Sequence, residues 1–462
     1  MNRGKSEGYG GPMTEGVIWK QLLFFFFPIL LGTFFQQLYN TVDAMIVGKA
    51  VGKEALAAVG GATGNLINLL VGFFVGLSSG STVIISQFFG ARRDGDVSRA
   101  VHTSFAMAGI FGLFLMVAGL LLSPTLLAWM HTPEQVMPHA LEYIRIYFIG
   151  TVPMMVYNMG SGILRAVGDS RRPLLFLMVS CLTNIVLDVI LVIGCDMGVA
   201  GAAAATVVSQ FVSGILVVLT LMHTARSYRL SPKRLRLHMD MTGKIVSIGL
   251  PAGLQSVMYS VSNVLIQSAI NHFDTDVLAG WTAYGKLDGM FWMIVNAFGV
   301  SVLTFCGQNF GAKRYDRMRR GTMICLGMTA GAALLLSTLL LLFGPALYSL
   351  FTSDPAVVEQ GMRILRQLAP CYITYVCVEV FSGAVRGTGD SLVPTLMTLF
   401  GICMIRVGWI LFYVPAHNTL DQVLLSYPIT WVLTSIMFLV YYFHGGWLKR
   451  RGGGAAREGE TV

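Results

Sequence analysis

The chain is 462 residues long, 55% hydrophobic and 12% charged, with a formal net charge of +9. Soluble proteins carry about twice that share of charge, ~25%, so a soluble globular enzyme is excluded and an integral membrane protein is expected. The apolar runs are too many for a signal peptide or a single anchor. No Walker A motif, HExxH or strand-following GxGxxG is present, so ATP hydrolysis within this chain is not expected.

Residues 1–16 are polar and Gly-rich and read as a short tail. Apolar spans follow at 17–47, 57–88, 100–122, 138–163, 173–195, 199–223, 243–271, 278–309, 320–344, 357–384, 394–415 and 422–446. Each can cross a bilayer as a helix of ~20 residues, and Gly, Pro, Ser and Thr are tolerated inside such helices. The expected fold is all-α, with twelve transmembrane helices. The predicted domains are a cytoplasmic tail (1–16), an N-lobe of helices one to six (17–223), a cytoplasmic linker (224–242), a C-lobe of helices seven to twelve (243–446) and a second tail (447–462).

The first span holds the stretch Gln36-Gln37-Leu38-Tyr39-Asn40-Thr41-Val42-Asp43. A carboxylate inside a membrane helix costs ~2.5–3.5 kcal/mol on insertion scales and is normally turned toward partners or water. Gln36, Tyr39, Asn40 and Asp43 recur at helical spacing and share a polar stripe. Asp43 is therefore a functional-site candidate; the plainer alternative is an acid tied up by a buried neighbour. All seven cysteines except Cys195 fall inside apolar spans, without metal or disulfide spacing. They read as core packing, and neither a metal nor a cofactor is expected.

Basic residues orient the helices, because cytoplasmic loops are enriched in them. They follow the even-numbered spans: Arg92, Arg93 and Arg99, then Arg165, Arg171 and Arg172, then a run from Arg226 to Lys244. Further on come Lys313, Arg314, Arg317, Arg319 and Arg320, then Arg386, then Lys449, Arg450, Arg451 and Arg457. The opposite exits are nearly bare, with Lys49 and Lys53 after the first span. Both termini of a multi-pass plasma-membrane protein are thus expected in the cytoplasm. The positive charge reports topology and implies no nucleic-acid partner.

The halves repeat. Gln87-Phe88-Phe89-Gly90-Ala91-Arg92-Arg93 matches Gln308-Asn309-Phe310-Gly311-Ala312-Lys313-Arg314, and Arg165-Ala166-Val167-Gly168-Asp169-Ser170 matches Arg386-Gly387-Thr388-Gly389-Asp390-Ser391, both at an offset of 221 residues. Pro28 and Pro251 align at nearly that offset. Two six-helix repeats with the same orientation are a plan typical of secondary transporters. In the second motif Gly permits a tight turn and Asp or Ser can cap the next helix, a structural role.

These motifs resemble the MATE (multidrug and toxic compound extrusion) family over essentially all twelve spans. The resemblance implies two six-helix lobes around a central cavity, alternating access, and export of organic, often cationic, compounds against H⁺ or Na⁺. Tyr39-Asn40-Thr41-Val42-Asp43 looks like the first helix of the DinF-like branch, whose ion site lies in the N-lobe. The matching residues are Asp43, Asn184, Asp188 and Thr206. The NorM-like branch instead has an acid on the seventh helix, where this chain has Tyr259.

Helix rise makes the N-lobe set plausible on its own terms. Asp43 lies ~31 Å along its helix from Leu22, Asp188 ~22 Å from Pro173, and Thr206 ~10 Å from Val199. All three fall in the outer half of the bilayer. No basic residue shares their depth unless Arg145 reaches in, and Glu142 is its nearer partner. Two neighbouring acids without a basic partner suit a shared proton; a sodium ion would use the same acids with neutral oxygens from Asn184 and Thr206. The C-lobe spans carry Lys286, Asp288, Glu379 and Arg406, which can satisfy one another as a structural network or serve an ion. Tyr259, Trp281, Tyr284 and Trp292 are candidates for a substrate cavity, because aromatic faces attract cations.

The leading function is therefore a secondary efflux transporter, with an organic small molecule and the bilayer as partners and no obligatory protein partner. A flippase for lipid-linked precursors is one alternative and would want several basic residues in its cavity. A membrane enzyme acting on lipids is another, although His131, His139 and His417 are scattered over outer loops.

Overall fold

A computed structural model describes residues 13–130, 132–417 and 419–448. The predicted tails at 1–12 and 449–462, with Lys449, Arg450, Arg451 and Arg457, lie outside the described residues, as do His131 and the side chain of Lys53. Among the described residues all regular structure is helical. The first repeat comprises α1 (Ile18–Ala50), α2 (Lys53–Gly60), α3 (Ala62–Gly90), α4 (Asp94–Trp129), α5 (Met137–Ile149), α6 (Thr151–Ala166), α7 (Arg171–Asp188) and α8 (Gly198–His223). The second comprises α9 (Met239–Ile270), α10 (Thr275–Gly311), α11 (Tyr315–Tyr348), α12 (Pro355–Leu368), α13 (Tyr372–Gly387), α14 (Leu392–Thr398), α15 (Ile405–Gly408), α16 (Val414–His417) and α17 (Leu420–His444). α14 to α16 form one span, joined by π-turns at Leu399–Met404 and Trp409–Tyr413.

Among the described residues eleven helices are long and apolar enough to cross a membrane. The remaining predicted span, 138–163, is present as α5 and α6, which meet at Gly150. A Cβ there would come within 2.6 Å of Gln210 Oε1 and 2.9 Å of Val207, both on α8. Glycine at this position lets α8 approach the junction.

The doubled motifs make matched turns. After α3 and α10 the chain passes through the left-handed region at Arg92 (φ 55) and Lys313 (φ 59). There the Arg93 N–H donates to Phe88 O at 3.0 Å, and the Arg314 N–H donates to Asn309 O at 2.8 Å. These bonds satisfy helix-end carbonyls in the manner of a Schellman turn. Gly168 and Gly389 take φ of 90 and 89. Asp169 Oδ1 accepts from the Arg172 N–H at 3.2 Å, capping α7, and Asp390 accepts from the Tyr441 hydroxyl at 3.0 Å. The turns are those the sequence predicts; of the expected caps, Asp169 bonds an amide at the start of α7, while Ser170 and Ser391 make no capping bond and Asp390 bonds Tyr441.

The chain forms two compact units, and their limits differ from the predicted lobes. Unit 1 is Phe27–Gly253; unit 2 is Met13–Phe26 together with the chain from Leu254 onward. The start of each repeat's first helix therefore belongs with the other repeat. In unit 2 the Met13 N–H donates to Gln308 Oε1 at 2.7 Å, and Arg314 Nη1 donates to Thr14 O at 2.6 Å. Arg317 Nη2 donates to Gln21 Oε1 at 2.9 Å, and Phe26 stacks on Phe298 at 4.0 Å. In unit 1 the Gly249-x-x-x-Gly253 face of α9 meets the Gly76-x-x-x-Gly80 face of α3. A Cβ on Gly80 would lie 2.2 Å from Ile245 O, and one on Gly249 2.3 Å from Leu77 O. Small residues at such spacing let membrane helices touch backbone to backbone. Pro28 and Pro251 stand beside the two boundaries.

Candidate functional site

In unit 1, α1 contributes Asp43, α7 contributes Asn184 and Asp188, and α8 contributes Thr206. Asp43 is 6% exposed and Asp188 0%, and the other two are also buried. Asn184 Nδ2 donates to Thr206 Oγ1 at 3.5 Å, as their one-turn and cross-helix placement requires. The two aspartates lie within electrostatic reach of each other. Among the described residues Asp43 Oδ1, both carboxylate oxygens of Asp188 and Asn184 Oδ1 have no hydrogen-bond partner. Arg145 is exposed and does not enter. The result is a buried cluster rich in acceptors and poor in donors. Buried polar atoms normally find partners, and these oxygens are left free to accept one.

The cluster contains more than the sequence showed. Tyr143, buried on α5, is within electrostatic reach of both aspartates, and Tyr39 and Tyr147 neighbour it. Tyr143 and Tyr147 stand four apart on one helix face, a signal the sequence did carry. Directly after Asp188 the helix widens into a π-turn over Val189–Gly194, a distortion frequent at functional sites. Of the predicted α1 stripe, Tyr39 is half-buried, while Gln36 and Asn40 are exposed. Those two lie on the open side of α1 rather than within the buried cluster, with the Gln36 side chain hydrogen-bonded to Tyr39.

Unit 2 places its charges differently. Asp288 on α10 accepts the Tyr284 and Tyr372 hydroxyls at 3.0 and 2.8 Å and the Trp292 Nε1–H at 2.7 Å. Arg406 on α15 is buried; its Nη2 donates to Thr430 Oγ1 at 3.0 Å, and its guanidinium sits 4.2 Å from the Tyr427 ring centroid. Glu379 on α13 accepts from the Tyr375 hydroxyl at 3.5 Å. A Cβ on Gly299 would lie 2.1 Å from Glu379 Oε1, so that glycine makes room for the carboxyl group. Lys286 is exposed and drops out of the predicted network. Two residues from Asp288, it lies on a different face of α10. Among the described residues the remaining charges form no salt bridge with one another; they meet hydroxyls and rings instead, and Arg406 Nε has no hydrogen-bond partner. Tyr372, Tyr427 and Thr430 escaped the sequence reading because partners were sought among opposite charges.

The predicted cavity aromatics build the same framework. The Tyr284 and Trp292 polar atoms are spent on Asp288. Trp281 Nε1 donates to Gln267 Oε1 at 3.1 Å, and its ring stacks on Tyr284 at 5.5 Å. The Tyr259 hydroxyl lies 3.2 Å from that of Tyr375.

Two repeats of membrane-length helices, with buried acids among the described residues, form a plan typical of multi-pass transporters. The MatE family model matches residues 28–190 and 251–411, and the chain belongs to that family. It is 26% identical over 444 residues to the probable multidrug resistance protein YoeA of Bacillus subtilis, covering 94% of this chain and 95% of that one. It is 29% identical over 437 residues to the probable multidrug resistance protein YpnP of the same organism, covering 94% and 97%. The solved structure of a MOP superfamily transporter from Pyrococcus furiosus superposes with a TM-score of 0.86 at 22% identity, covering 93% of this chain and 96% of that one. The protein is a multi-pass efflux transporter of this family and not an enzyme.

Proposed function

We propose that the protein exports organic, cationic or amphipathic compounds from the cytoplasm by alternating access, in exchange for protons that bind at Asp43 and Asp188. The observation that carries this reading is the set of open carboxylate oxygens on the two acids, with no basic group beside them among the described residues. A shared proton neutralises the pair without needing a donor from the protein. Asn184 and Thr206 orient the neighbouring turn of α7 and supply neutral oxygens, the ligands a sodium ion would require in the alternative coupling. The prolines beside the unit boundaries are suited to bending α1 and α9 as access alternates. For a lipid-linked flippase the basic lining is thin: Arg145 and Lys286 are exposed, leaving Arg406 as the buried cation of the three.

The test is export by protein reconstituted in vesicles under separate proton and sodium gradients, with a fluorescent cationic dye as substrate. Dye addition should release protons from the wild type and not from Asp43→Asn. Collapse of transport when potassium replaces sodium at fixed pH would assign sodium instead. Both termini are placed in the cytoplasm of the plasma membrane by the loop charges. A cysteine introduced in the 224–240 loop of a cysteine-free variant should therefore resist an impermeant thiol reagent added to intact cells; ready labelling would reverse the orientation.

A further inference from the structure

The loop between α8 and α9 folds back onto the start of α4. With the first turns of that helix it lines an open cavity of about 510 Å³, bordered by Ser98, Arg99, Lys233, Arg234, Arg236 and His238. The loop is tied down at several points. The Ser231 N–H donates to His102 Nε2 at 3.1 Å, and His102 Nδ1 bonds Ser98 O at 2.7 Å. The His238 N–H donates to Thr103 Oγ1 at 3.3 Å, and that hydroxyl also lies 3.1 Å from His238 Nδ1. Arg99 forks onto the Asp240 carboxylate at 2.9 and 2.8 Å. Within this frame a short 3₁₀ turn, Pro232–Arg234, presents Lys233 and Arg234, and Arg236 follows.

The charges around this cavity do not cancel. Asp96 is held by Arg93 at 2.6 Å and by Arg99 at 3.5 Å, and Asp240 is taken by Arg99. Among the described residues Lys233, Arg234 and Arg236 have no acidic partner within salt-bridge distance. Three cations thus surround one cavity, two of them guanidinium groups, whose planar fork matches phosphate oxygens. Between and beside them Leu235, Leu237 and Met239 are 46%, 38% and 79% exposed. Exposed apolar side chains interleaved with cations at the end of a membrane helix suit a surface that meets headgroups and acyl chains together.

We propose that this pocket binds a phosphate group, carried by an anionic phospholipid headgroup or by a soluble phosphate compound, through Lys233, Arg234 and Arg236. The site lies apart from the acid pair and does not depend on which ion drives transport.

The experiment uses purified full-length protein in neutral detergent, with bound ligand read by native mass spectrometry. The probes are phosphatidylglycerol, phosphatidylcholine and inorganic phosphate. Wild type is compared with the K233Q/R234Q/R236Q variant and with a control variant, K313Q/R319Q/R320Q, which removes three exposed cations from the turn after α10 and the start of α11. Phosphatidylglycerol should bind the pocket variant roughly 100-fold more weakly than wild type, about fivefold per cation, and should bind the control as it binds wild type. Phosphatidylcholine should bind weakly throughout. Inorganic phosphate retained by wild type and lost by the pocket variant, without preference for phosphatidylglycerol, would assign the soluble source. Equal binding of every probe to wild type and pocket variant, or equal losses in both triple variants, would overturn the proposal. Single R234Q and R236Q variants, each expected to lose about fivefold, keep the test decisive if the triple variant does not fold.

Discussion

In unit 1, Asp43 and Asp188 leave three carboxylate oxygens without a partner, whereas in unit 2 Asp288 collects hydrogen bonds from Tyr284, Tyr372 and Trp292. The helices that hold these acids belong to repeats of one ancestral plan, with the same turns at the same offsets. The plan does not decide what an acid does; the donors around it do. A carboxylate whose lone pairs are occupied has little left to coordinate an ion. It serves as the hub joining α10 to α13. A carboxylate pair whose lone pairs are open keeps that capacity, which is the basis of the proton coupling proposed above.

The comparison breaks most plainly in transport. Asp43→Asn and Asp188→Asn should each abolish gradient-driven export, with the double variant little worse than either single, because residues acting as a unit are non-additive. Full export by both single variants in reconstituted vesicles would remove the N-lobe assignment and turn attention to Glu379.

Stability should rank the other way. Asp288→Ala strands buried Tyr and Trp donors, at a cost of ~1–3 kcal/mol for each group left unsatisfied, and should lower the thermal midpoint by several degrees. Asp43→Asn removes an acid that bonds little and should leave the midpoint nearly unchanged. Equal losses in the two variants would mean that the acids are held alike.

A smaller effect isolates Glu379. Gly299→Ala intrudes on its carboxyl oxygen, and such overpacking typically costs ~1–3 kcal/mol. Proton-coupled export should survive once expression is normalised, since the coupling acids lie in unit 1. Loss of coupling in a folded Gly299→Ala protein would bring Glu379 into the ion route.

The smallest effects should be equal in the two halves. Arg92 and Lys313 occupy the same left-handed position, which costs a non-glycine residue roughly 1–2 kcal/mol. Arg92→Gly and Lys313→Gly should therefore each raise the thermal midpoint slightly and by similar amounts. A gain in one half only would show that the matched turns carry different loads.

Much of this protein was legible before any coordinates. Lipid offers no hydrogen bonds, so long apolar runs must be helices, and their lengths, loop charges and paired motifs led to a twelve-helix, two-repeat transporter. The same constraint makes a lone acid in an apolar run conspicuous, which is why Asp43 and Asp188 could be picked out, and helix rise set them at one depth with Thr206. Tertiary structure decided which faces are covered. Periodicity assigns a residue to a face of its own helix but not to a neighbour on another, so the exposure of Gln36, Asn40 and Lys286 could not be read in advance. Hydroxyl and ring partners bear no charge to betray them in a sequence, so Tyr372, Tyr427 and Thr430 emerged only in three dimensions. The exchange of first-helix segments between units was equally hidden, because it rests on glycine faces and backbone carbonyls that meet only after the chain has folded.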